Sequence, residues 1–382
     1  MKKRTIVLSV ILSGIVLAGL CGCGKNTGRK EGETAGSDLP VYEDGLSGPG
    51  NPGETESGQE DYFINGSGAV VWRGKQLTIG FSQIGAESDW RLASSVSMED
   101  TFSIGNGYNL IFDNAQQKQE NQIKALRNFI TQGVDYILFT GVVSTGWEEV
   151  LAEVNEAEIP LILVDRLPDC IDDIDYVAAF GGDFVEEGRR QVAWAGEYLK
   201  SVGRDSEDVN VVIMEGTTGA SAQTGRTEGN LAAMEEYPFL KLVGQQTGNF
   251  TRAEGQAVME SWLKSIDKID VLIAQNDDMA LGAIDAIKAA GLVPGKDIII
   301  VGCDSVKAAF EAIVAGEMNA TIECTPLYGP FVESCIESLE AGEEMSKEVI
   351  HPEEGVYDMD GGIDLGTVVS VKAADVIDER VY

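Results

Sequence analysis

From residue 77 onward, short runs of apolar residues alternate with longer stretches in which apolar positions recur with a helical period. The short runs predict buried β-strands, and the longer stretches predict amphipathic helices. Strands are predicted at 77–81, 108–112, 136–140, 160–164, 209–214, 271–274 and 298–301, and helices at 118–131, 184–202, 251–265 and 279–290. Gly133 and Gly291 follow two of these helices, where C-terminal caps are expected.

This alternation of strands and helices predicts an α/β fold with helices on both faces of parallel sheets. About 300 residues follow residue 75, which is more than one average domain contains. The number of strand–helix units is also too large for one open sheet. We therefore expect two Rossmann-like lobes, each with its own sheet.

The first residues have the pattern of an export signal. A basic start, residues 2–4, precedes an apolar run, residues 5–19, that is too short for a comfortable membrane span. Residues 20–23 resemble the lipobox of bacterial lipoproteins, because the small Gly22 directly precedes Cys23. The pattern predicts cleavage before Cys23 and a lipid on that cysteine. A plain secretory signal with incidental cysteines is the alternative.

Residues 24–75 are rich in Gly, Ser, Glu and Pro and contain few large apolar residues before Val70. Such a segment buries too little apolar surface to offset the entropy lost on ordering. We expect a flexible linker between the lipid and the folded lobes. The protein is then extracytoplasmic and anchored to the outer face of the cell membrane by its lipid.

Charge and cysteine content exclude several classes of function. The formal net charge of −35 argues against nucleic acid and polyanionic ligands, which require clustered Lys and Arg. Beyond the signal, cysteines stand at positions 170, 303, 324 and 335 without a CxxC pair, and we expect neither a metal nor a cofactor. A disulfide between Cys303 and Cys324 stays open, since export permits one.

Charged and amide side chains follow three of the predicted strands. Asp165 and Arg166, Asn276, and Asp304 stand just past the carboxyl ends of their strands. Ligands of doubly wound sheets bind at these ends, and residues from both halves of the chain can meet there only across a cleft between two lobes. Each residue alone has a plainer explanation as a turn former or helix cap.

The residue types favour a sugar as the ligand. Asp, Asn and Arg supply the acceptors and donors that hydroxyl groups need, and the guanidinium fork binds two neighbouring oxygens. Glu87, Trp90 and Arg91 follow the first strand, and Trp90 offers a flat face to the apolar side of a sugar ring. Asp277 and Asp278 stand at a predicted helix start and are interpreted as caps.

Residues 75–339 resemble the periplasmic sugar-binding proteins of ribose and galactose transporters, in particular the galactofuranose-binding proteins. Several segments together carry the resemblance. They are IGFSQIGAESDWR at 79–91, NAQQKQENQIKA at 114–125, GWEEV at 146–150, VDR at 164–166, AQNDDMALGA at 274–283 and VGCD at 301–304. The resemblance implies the type I periplasmic binding protein fold, in which two lobes joined by a three-crossover hinge close around a sugar.

The resemblance also implies which residues bind the sugar. It adds Arg226 and an aromatic wall at Phe250 to the residues at the strand ends. Trp90 and Arg91 replace a Phe pair of the ribose binders, which favours a furanose sugar of the galactofuranose type. Cys324 replaces a Gln of those proteins. The expected sugar-binding set is Glu87, Trp90, Arg91, Asp165, Arg166, Arg226, Phe250, Asn276 and Asp304.

We expect a monomer that captures a monosaccharide and delivers it to the permease and ATPase of an ABC importer. Signalling to a membrane sensor kinase is the alternative. The expected parts are a lipoprotein signal at 1–23, a linker at 24–75, an N-terminal lobe of 76–180 plus 325–345, and a C-terminal lobe of 181–324 plus 346–382.

Two other functions are weaker interpretations. A glycoside hydrolase would need a carboxylate pair such as Glu87 and Asp165, but no nucleophile motif is visible, and His351 is the only histidine. A regulator of the lac-repressor family would need a basic DNA-binding headpiece, which this chain lacks. We therefore expect a binding protein and not an enzyme.

Overall fold

The computed structural model describes residues 62–64, 70–72, 76–352 and 354–382. The expected signal peptide with Cys23 and most of the expected linker lie outside the described residues. One part of the linker differs from the expectation, because strand β1 (Tyr62–Ile64) pairs antiparallel with strand β2 (Val70–Trp72). Both segments are built from aromatic and β-branched residues, which favour strands even in a polar context.

The first sheet contains five parallel strands in the order β4-β3-β5-β6-β7. Its strands are β3 (Leu77–Gln83), β4 (Tyr108–Asn114), β5 (Tyr136–Phe139), β6 (Leu161–Val164) and β7 (Ala178–Phe180). The helices that connect them are α1 (Asp89–Thr101), α2 (Gln119–Gln132) and α3 (Glu148–Glu156). β5 and β6 are buried throughout, as expected for strands covered on both faces.

The second sheet contains seven strands in the order β14-β13-β12-β11-β10-β8-β9. Its strands are β8 (Val209–Glu215), β9 (Leu240–Thr247), β10 (Val271–Ala274), β11 (Ile299–Asp304), β12 (Ala320–Glu323), β13 (Val356–Asp358) and β14 (Val371–Lys372). Only the β12–β13 pair within this sheet is antiparallel. The helices are α4 (Phe184–Ser201), α5 (Ser221–Glu236), α6 (Arg252–Ser265), α7 (Asp277–Ala289), α8 (Lys307–Val314), α9 (Gly329–Glu340) and α10 (Ala373–Val376). The predicted two-sheet α/β architecture is confirmed.

The chain passes between the two sheets three times. It leaves the first sheet after β7, leaves the second after β12, and returns to the second before β13. α9 belongs with the first sheet, because it packs on α1 and its Glu340 accepts a hydrogen bond from the Tyr136 hydroxyl at 2.7 Å. Ile350 then pairs with Phe180 at the edge of that sheet. We propose that the lobes divide along these three passages.

Close packing of α4 on α5 fixes the position of one candidate site residue. A Cβ atom at Gly188 would lie 2.2 Å from the carbonyl oxygen of Arg226, and one at Gly229 would lie 1.9 Å from the carbonyl oxygen of Val185. Only glycine permits this approach of the two helices. The approach brings the buried side chain of Arg226 toward the end of the second sheet.

Candidate functional site

The carboxyl ends of both sheets face one small cavity. Its empty volume is at most about 280 Å³, a value that includes the open space at its mouth. The lining residues are Ser88, Trp90, Arg91, Asp165, Arg166, Ala222, Arg226, Phe250, Asn276, Asp304 and Cys324. The structure thus brings together every candidate residue except Glu87, which lies behind the wall and contacts Arg91.

Arg91 organises the polar side of the cavity that belongs to the first sheet. Its Nη1 donates to Asp165 Oδ2 at 2.8 Å, and its Nε donates to Glu87 Oε1 at 3.2 Å. Burial lowers the pKa of Arg91, but the two carboxylates raise it more strongly, so the net shift is upward. Arg91 is therefore charged, and it fixes both carboxylates in place.

Arg166 is the least satisfied charged group of the cavity. Its Nε is buried without a hydrogen-bond partner in the part of the chain that the structure describes, and its Nη2 lies 3.9 Å from Glu87 Oε1. The guanidinium packs over the Phe250 ring at 4.9 Å. Burial and the charge of Arg91 lower the pKa of Arg166 to about 10. Its Nη1 makes a long hydrogen bond to the Val142 carbonyl at 3.5 Å, so Nε is the donor that can bind an oxygen of a ligand.

Arg226 has the corresponding position on the side of the second sheet. Its Nε donates to Glu187 Oε2 at 2.7 Å, its Nη1 donates to the Gln275 carbonyl, and its Nη2 lies 3.6 Å from Asp304 Oδ1. Burial raises the pKa of Asp304 well above its usual range, although Arg226 opposes the shift. A carboxyl group that keeps its proton can donate as well as accept a hydrogen bond.

Asn276 is both a cavity residue and a helix cap. Its Oδ1 accepts from the Met279 backbone N–H at 2.9 Å, and its Nδ2 donates to the Phe250 carbonyl at 3.2 Å. The interpretation of Asp277 and Asp278 as caps of their own helix is wrong, because Asn276 precedes them and is the N-cap of α7. Asp278 instead accepts from the Asp89 backbone N–H in the first turn of α1.

Two aromatic side chains form the apolar walls. Trp90 donates from Nε1 to the Cys324 carbonyl at 2.6 Å, and the Arg91 guanidinium covers one face of its ring at 4.4 Å. Phe250 is 3% exposed and occupies space that a side chain at Gly216 would fill, since a Cβ there would lie 1.8 Å from the Phe250 ring. Glycine at 216 is thus required for this wall.

Three cavity residues have a left-handed backbone. The φ angles are 61° at Asp165, 60° at Phe250 and 117° at Asp304. Residues other than glycine adopt such angles at a cost of about 1–3 kcal/mol each, and they concentrate at binding and catalytic sites. Asp165 directly follows β6, Asp304 is the last residue of β11, and both line the cavity.

Sequence reasoning missed the residues that hold the arginines in place. Glu187 is fully buried on α4 and binds Arg226. The sequence contains one indication that Glu187 is buried. Glu187 lies on the same face of α4 as Gly188, Gln191 and Val192, which are buried. A carboxylate in such a place requires a partner. Ser88 was also missed; its hydroxyl caps α1 by accepting from the Arg91 backbone N–H.

The described cysteines are all buried free thiols, so the disulfide left open between Cys303 and Cys324 is not formed. Burial raises the pKa of both thiols well above the usual value. Among the described residues, no helix combines the length and apolarity that crossing a bilayer requires.

Comparison with known proteins places the chain among sugar-binding proteins. The family described as "Periplasmic binding protein domain" matches residues 79–325. The galactofuranose-binding protein YtfQ of Escherichia coli K12 is 43% identical over 258 residues, which cover 66% of this chain and 79% of YtfQ. A crystal structure of a galactofuranose-binding protein has a TM-score of 0.72 and 38% identity, covering 80% of this chain and 98% of that one. A Mycobacterium smegmatis protein in complex with β-D-fucofuranose has a TM-score of 0.70 and 44% identity, covering 74% of this chain and 91% of that one.

Proposed function

Because the chain belongs to the periplasmic binding protein family, we propose that it captures a monosaccharide in furanose form and delivers it to an ABC importer. The observation that carries the proposal is the convergence of polar side chains from both sheets on one small cavity. A ligand held there contacts both lobes at once. The volume limit of about 280 Å³ favours one sugar ring over an oligosaccharide.

The chemistry of the cavity supports a polyhydroxyl ligand. Arg166 Nε has no hydrogen-bond partner among the described residues, and the carboxyl groups of Asp165 and Asp304 both line the cavity, where they can accept hydrogen bonds from hydroxyl groups. Ligands that lack matching hydroxyls would leave these buried groups unpaired, which costs about 1–3 kcal/mol for each group. The furanose form is supported by the sugars of similar proteins, namely galactofuranose, β-D-fucofuranose and the arabinofuranose of a Shewanella protein.

An enzymatic function has less support. Glu87 and Asp165 are the carboxylate pair that a glycoside hydrolase would use, yet both accept hydrogen bonds from Arg91. Both carboxyl groups are therefore engaged in holding Arg91 in place. The similar proteins are named as binding proteins. We therefore propose binding without catalysis.

We propose that the sugar shifts the protein toward a closed form. Several hydrogen bonds already join the lobes. The Asp89 backbone N–H donates to Asp278 at 2.8 Å, Trp90 donates to the Cys324 carbonyl, and the Ser144 backbone N–H donates to the Gly219 carbonyl at 2.8 Å. A sugar that contacts residues from both lobes binds the closed form more tightly than the open form. That difference in affinity is what changes the populations. The importer would then recognise the closed form.

The ion pairs at the rim of the cavity give one prediction about closure. Arg252 Nη2 lies 3.3 Å from Asp278 Oδ1 on its own lobe and 3.5 Å from Asp89 Oδ2 on the other lobe. Arg252 is half exposed, so these contacts contribute about 0–1 kcal/mol. We expect Arg252→Ala to weaken sugar binding by at most about fivefold, less at high salt. Isothermal titration at two salt concentrations measures the effect.

The matched control is Lys288→Ala, since Lys288 pairs with Glu317 within one lobe. This variant should leave sugar affinity unchanged. A loss of affinity in Lys288→Ala equal to that in Arg252→Ala would contradict a role for the rim in closure.

The proposed location and partners are supported by the family and by the pattern of the N-terminal sequence. We propose that Cys23 carries a lipid and that the chain acts as a monomer at the outer face of the cell membrane. Transport is the preferred role, because several similar proteins are named as import binding proteins. Sensing is the second candidate. It is supported by the similarity to the fructose-binding periplasmic domain of a hybrid two-component system, with 26% identity and a TM-score of 0.65.

A thermal-shift screen tests the sugar-binding proposal. The protein without its lipid is heated with galactofuranose, arabinose, ribose, galactose, xylose and fructose. A bound sugar at about a hundredfold excess over its Kd adds about 3 kcal/mol to the free energy of unfolding and raises the Tm. We expect the largest shift with a sugar that populates a furanose ring. An unchanged Tm with every sugar would reject the proposed ligand class.

A further inference from the structure

A buried cluster of acidic groups lies where the three chain passages meet. Glu187 stands at the start of α4, after the first passage; Cys324 lies on the second passage and Glu354 on the third. One carboxylate oxygen of each glutamate and the Cys324 sulfur lie within 4.8 Å of one another. The cluster is adjacent to the sugar cavity, because Glu187 binds Arg226 and Cys324 lines the cavity.

The two carboxyl groups direct unpartnered oxygens toward the same point. Oε1 of Glu187 and Oε1 of Glu354 are buried, and neither has a hydrogen-bond partner among the described residues. A Cβ atom at Gly182 would lie 2.2 Å from the first oxygen and 3.2 Å from the second. Two ionised carboxylates in this position would repel each other strongly. One proton between them removes the repulsion and pairs both oxygens.

Neither neighbouring arginine pairs with the two unpartnered oxygens. Arg226 neutralises Glu187 through its other oxygen, Oε2, and Arg190 contacts the backbone carbonyl of Glu354 but not its carboxyl group. Burial, reinforced by the charge of Glu187, raises the pKa of Glu354 to about 10. The titratable and charged groups around the pair are Glu186, Arg190, Arg226, Cys303, Asp304, Cys324, Tyr328 and His351.

We propose that Glu187 and Glu354 share one proton and that this pair positions Arg226 for the sugar. The inference rests on the proposed sugar-binding function and adds positioning residues to it. With the proton present, the pair as a whole carries a single charge, and Oε2 of Glu187 accepts the hydrogen bond from Arg226 Nε. Without the proton, the two carboxylates separate, and the third passage and Arg226 both lose their fixed positions.

The shared proton can be tested without any sugar. Folding holds a proton on Glu354 that the unfolded chain releases, so the free energy of unfolding falls as pH rises from about 5 toward about 10. Glu354→Gln carries no such proton. We expect the unfolding equilibrium constant of the wild type to rise, relative to that of Glu354→Gln, by up to about tenfold per pH unit in urea titrations from about pH 6 to about pH 9.

The matched control is Glu186→Gln, one residue before Glu187. Glu186 binds Arg189 and Arg190, and despite burial these contacts lower its pKa to about 2. Between about pH 6 and about pH 9, the free energy of unfolding of Glu186→Gln should change with pH as steeply as that of the wild type. Equal slopes in the wild type and Glu354→Gln would overturn the shared proton.

The positioning role is tested by sugar titrations over the same pH range. We expect the sugar affinity of the wild type to fall as pH rises, and that of Glu354→Gln to stay constant, since its amide still donates to Glu187. Glu354→Leu, which is neutral but cannot donate, should bind weakly at every pH. Equal affinity in Glu354→Leu and Glu354→Gln would overturn the positioning role.

Two further outcomes can be distinguished from a failure of the shared proton or of the positioning role. If no sugar binds the wild type, the proposed function fails, while the urea titrations still decide whether the proton is shared. If Zn²⁺ raises the Tm of the wild type and not that of Glu354→Gln, the cluster holds a metal ion and the shared proton is rejected.

Discussion

Replacing Arg166 with methionine is expected to weaken sugar binding by about 2–4 kcal/mol, roughly 30- to 1000-fold in Kd, while leaving the sugar-free protein as stable as before or more stable. The guanidinium is buried, yet its Nε has no partner among the described residues, and its nearest carboxylate oxygen is 3.9 Å away. Removing a poorly paired buried charge relieves a desolvation penalty. Isothermal titration and urea unfolding measure the two effects.

Arg127→Met is the matched control for this substitution. Arg127 is half exposed on the same lobe and binds Glu149 and Glu153 on the surface. We expect neither its sugar affinity nor its stability to change by more than about 0.5 kcal/mol. If Arg166→Met bound sugar like the wild type, Arg166 would have no role in the site. A loss of stability of several kcal/mol would instead show that the guanidinium of Arg166 is well paired in the folded protein.

Trp147→Ala is expected to lower the free energy of unfolding by about 3–5 kcal/mol. Trp147 is fully buried, lies edge-on to Phe139 with ring centroids 4.9 Å apart, and donates from Nε1 to the Val143 carbonyl at 2.7 Å. Alanine would leave a cavity and would remove the donor from the partly buried Val143 carbonyl. Urea unfolding with fluorescence or circular dichroism measures the loss.

The sugar affinity of Trp147→Ala distinguishes a packing role of Trp147 from a role in sugar binding. Trp147 does not line the sugar cavity. At temperatures where Trp147→Ala is folded, its Kd should stay within a few-fold of the wild type. Trp147→Phe keeps most of the ring contact and should lose less stability than the alanine variant. A large loss of affinity with little loss of stability would contradict the assignment of Trp147 to the core.

The strands in the interior of the sheets could be predicted because burial on both faces leaves continuous apolar runs. β10 has the predicted bounds, and β5 and β6 differ from them by one residue each. β9, at the edge of the second sheet, was missed, since Lys241, Gln245 and Gln246 interrupt its apolar pattern. β7 has only three residues, and the polar Thr321 and Glu323 interrupt the apolar pattern of β12. Edge and short strands depend on pairing, which local pattern does not report.

The residues of the candidate site also divide into those that the sequence predicts and those that it does not. Asp165, Asn276 and Asp304 could be found from the rule that ligands bind beyond the carboxyl ends of strands. Arg226 and Phe250 came from family resemblance alone, because one lies within a helix and the other in a loop. Glu187 was found by neither route. It acts through Arg226, and contacts between distant helices become visible only in three dimensions.

The left-handed backbone at Asp165, Phe250 and Asp304 limits how this protein could be redesigned for other sugars. At φ angles of 61° and 117°, a β-branched or bulky replacement adds strain before any new contact forms. Glycine and asparagine are the tolerated exceptions to this strain. A randomised library would therefore accept little variety at these positions. New specificities should arise instead from Trp90 and Arg91, whose helical backbone accepts many side chains.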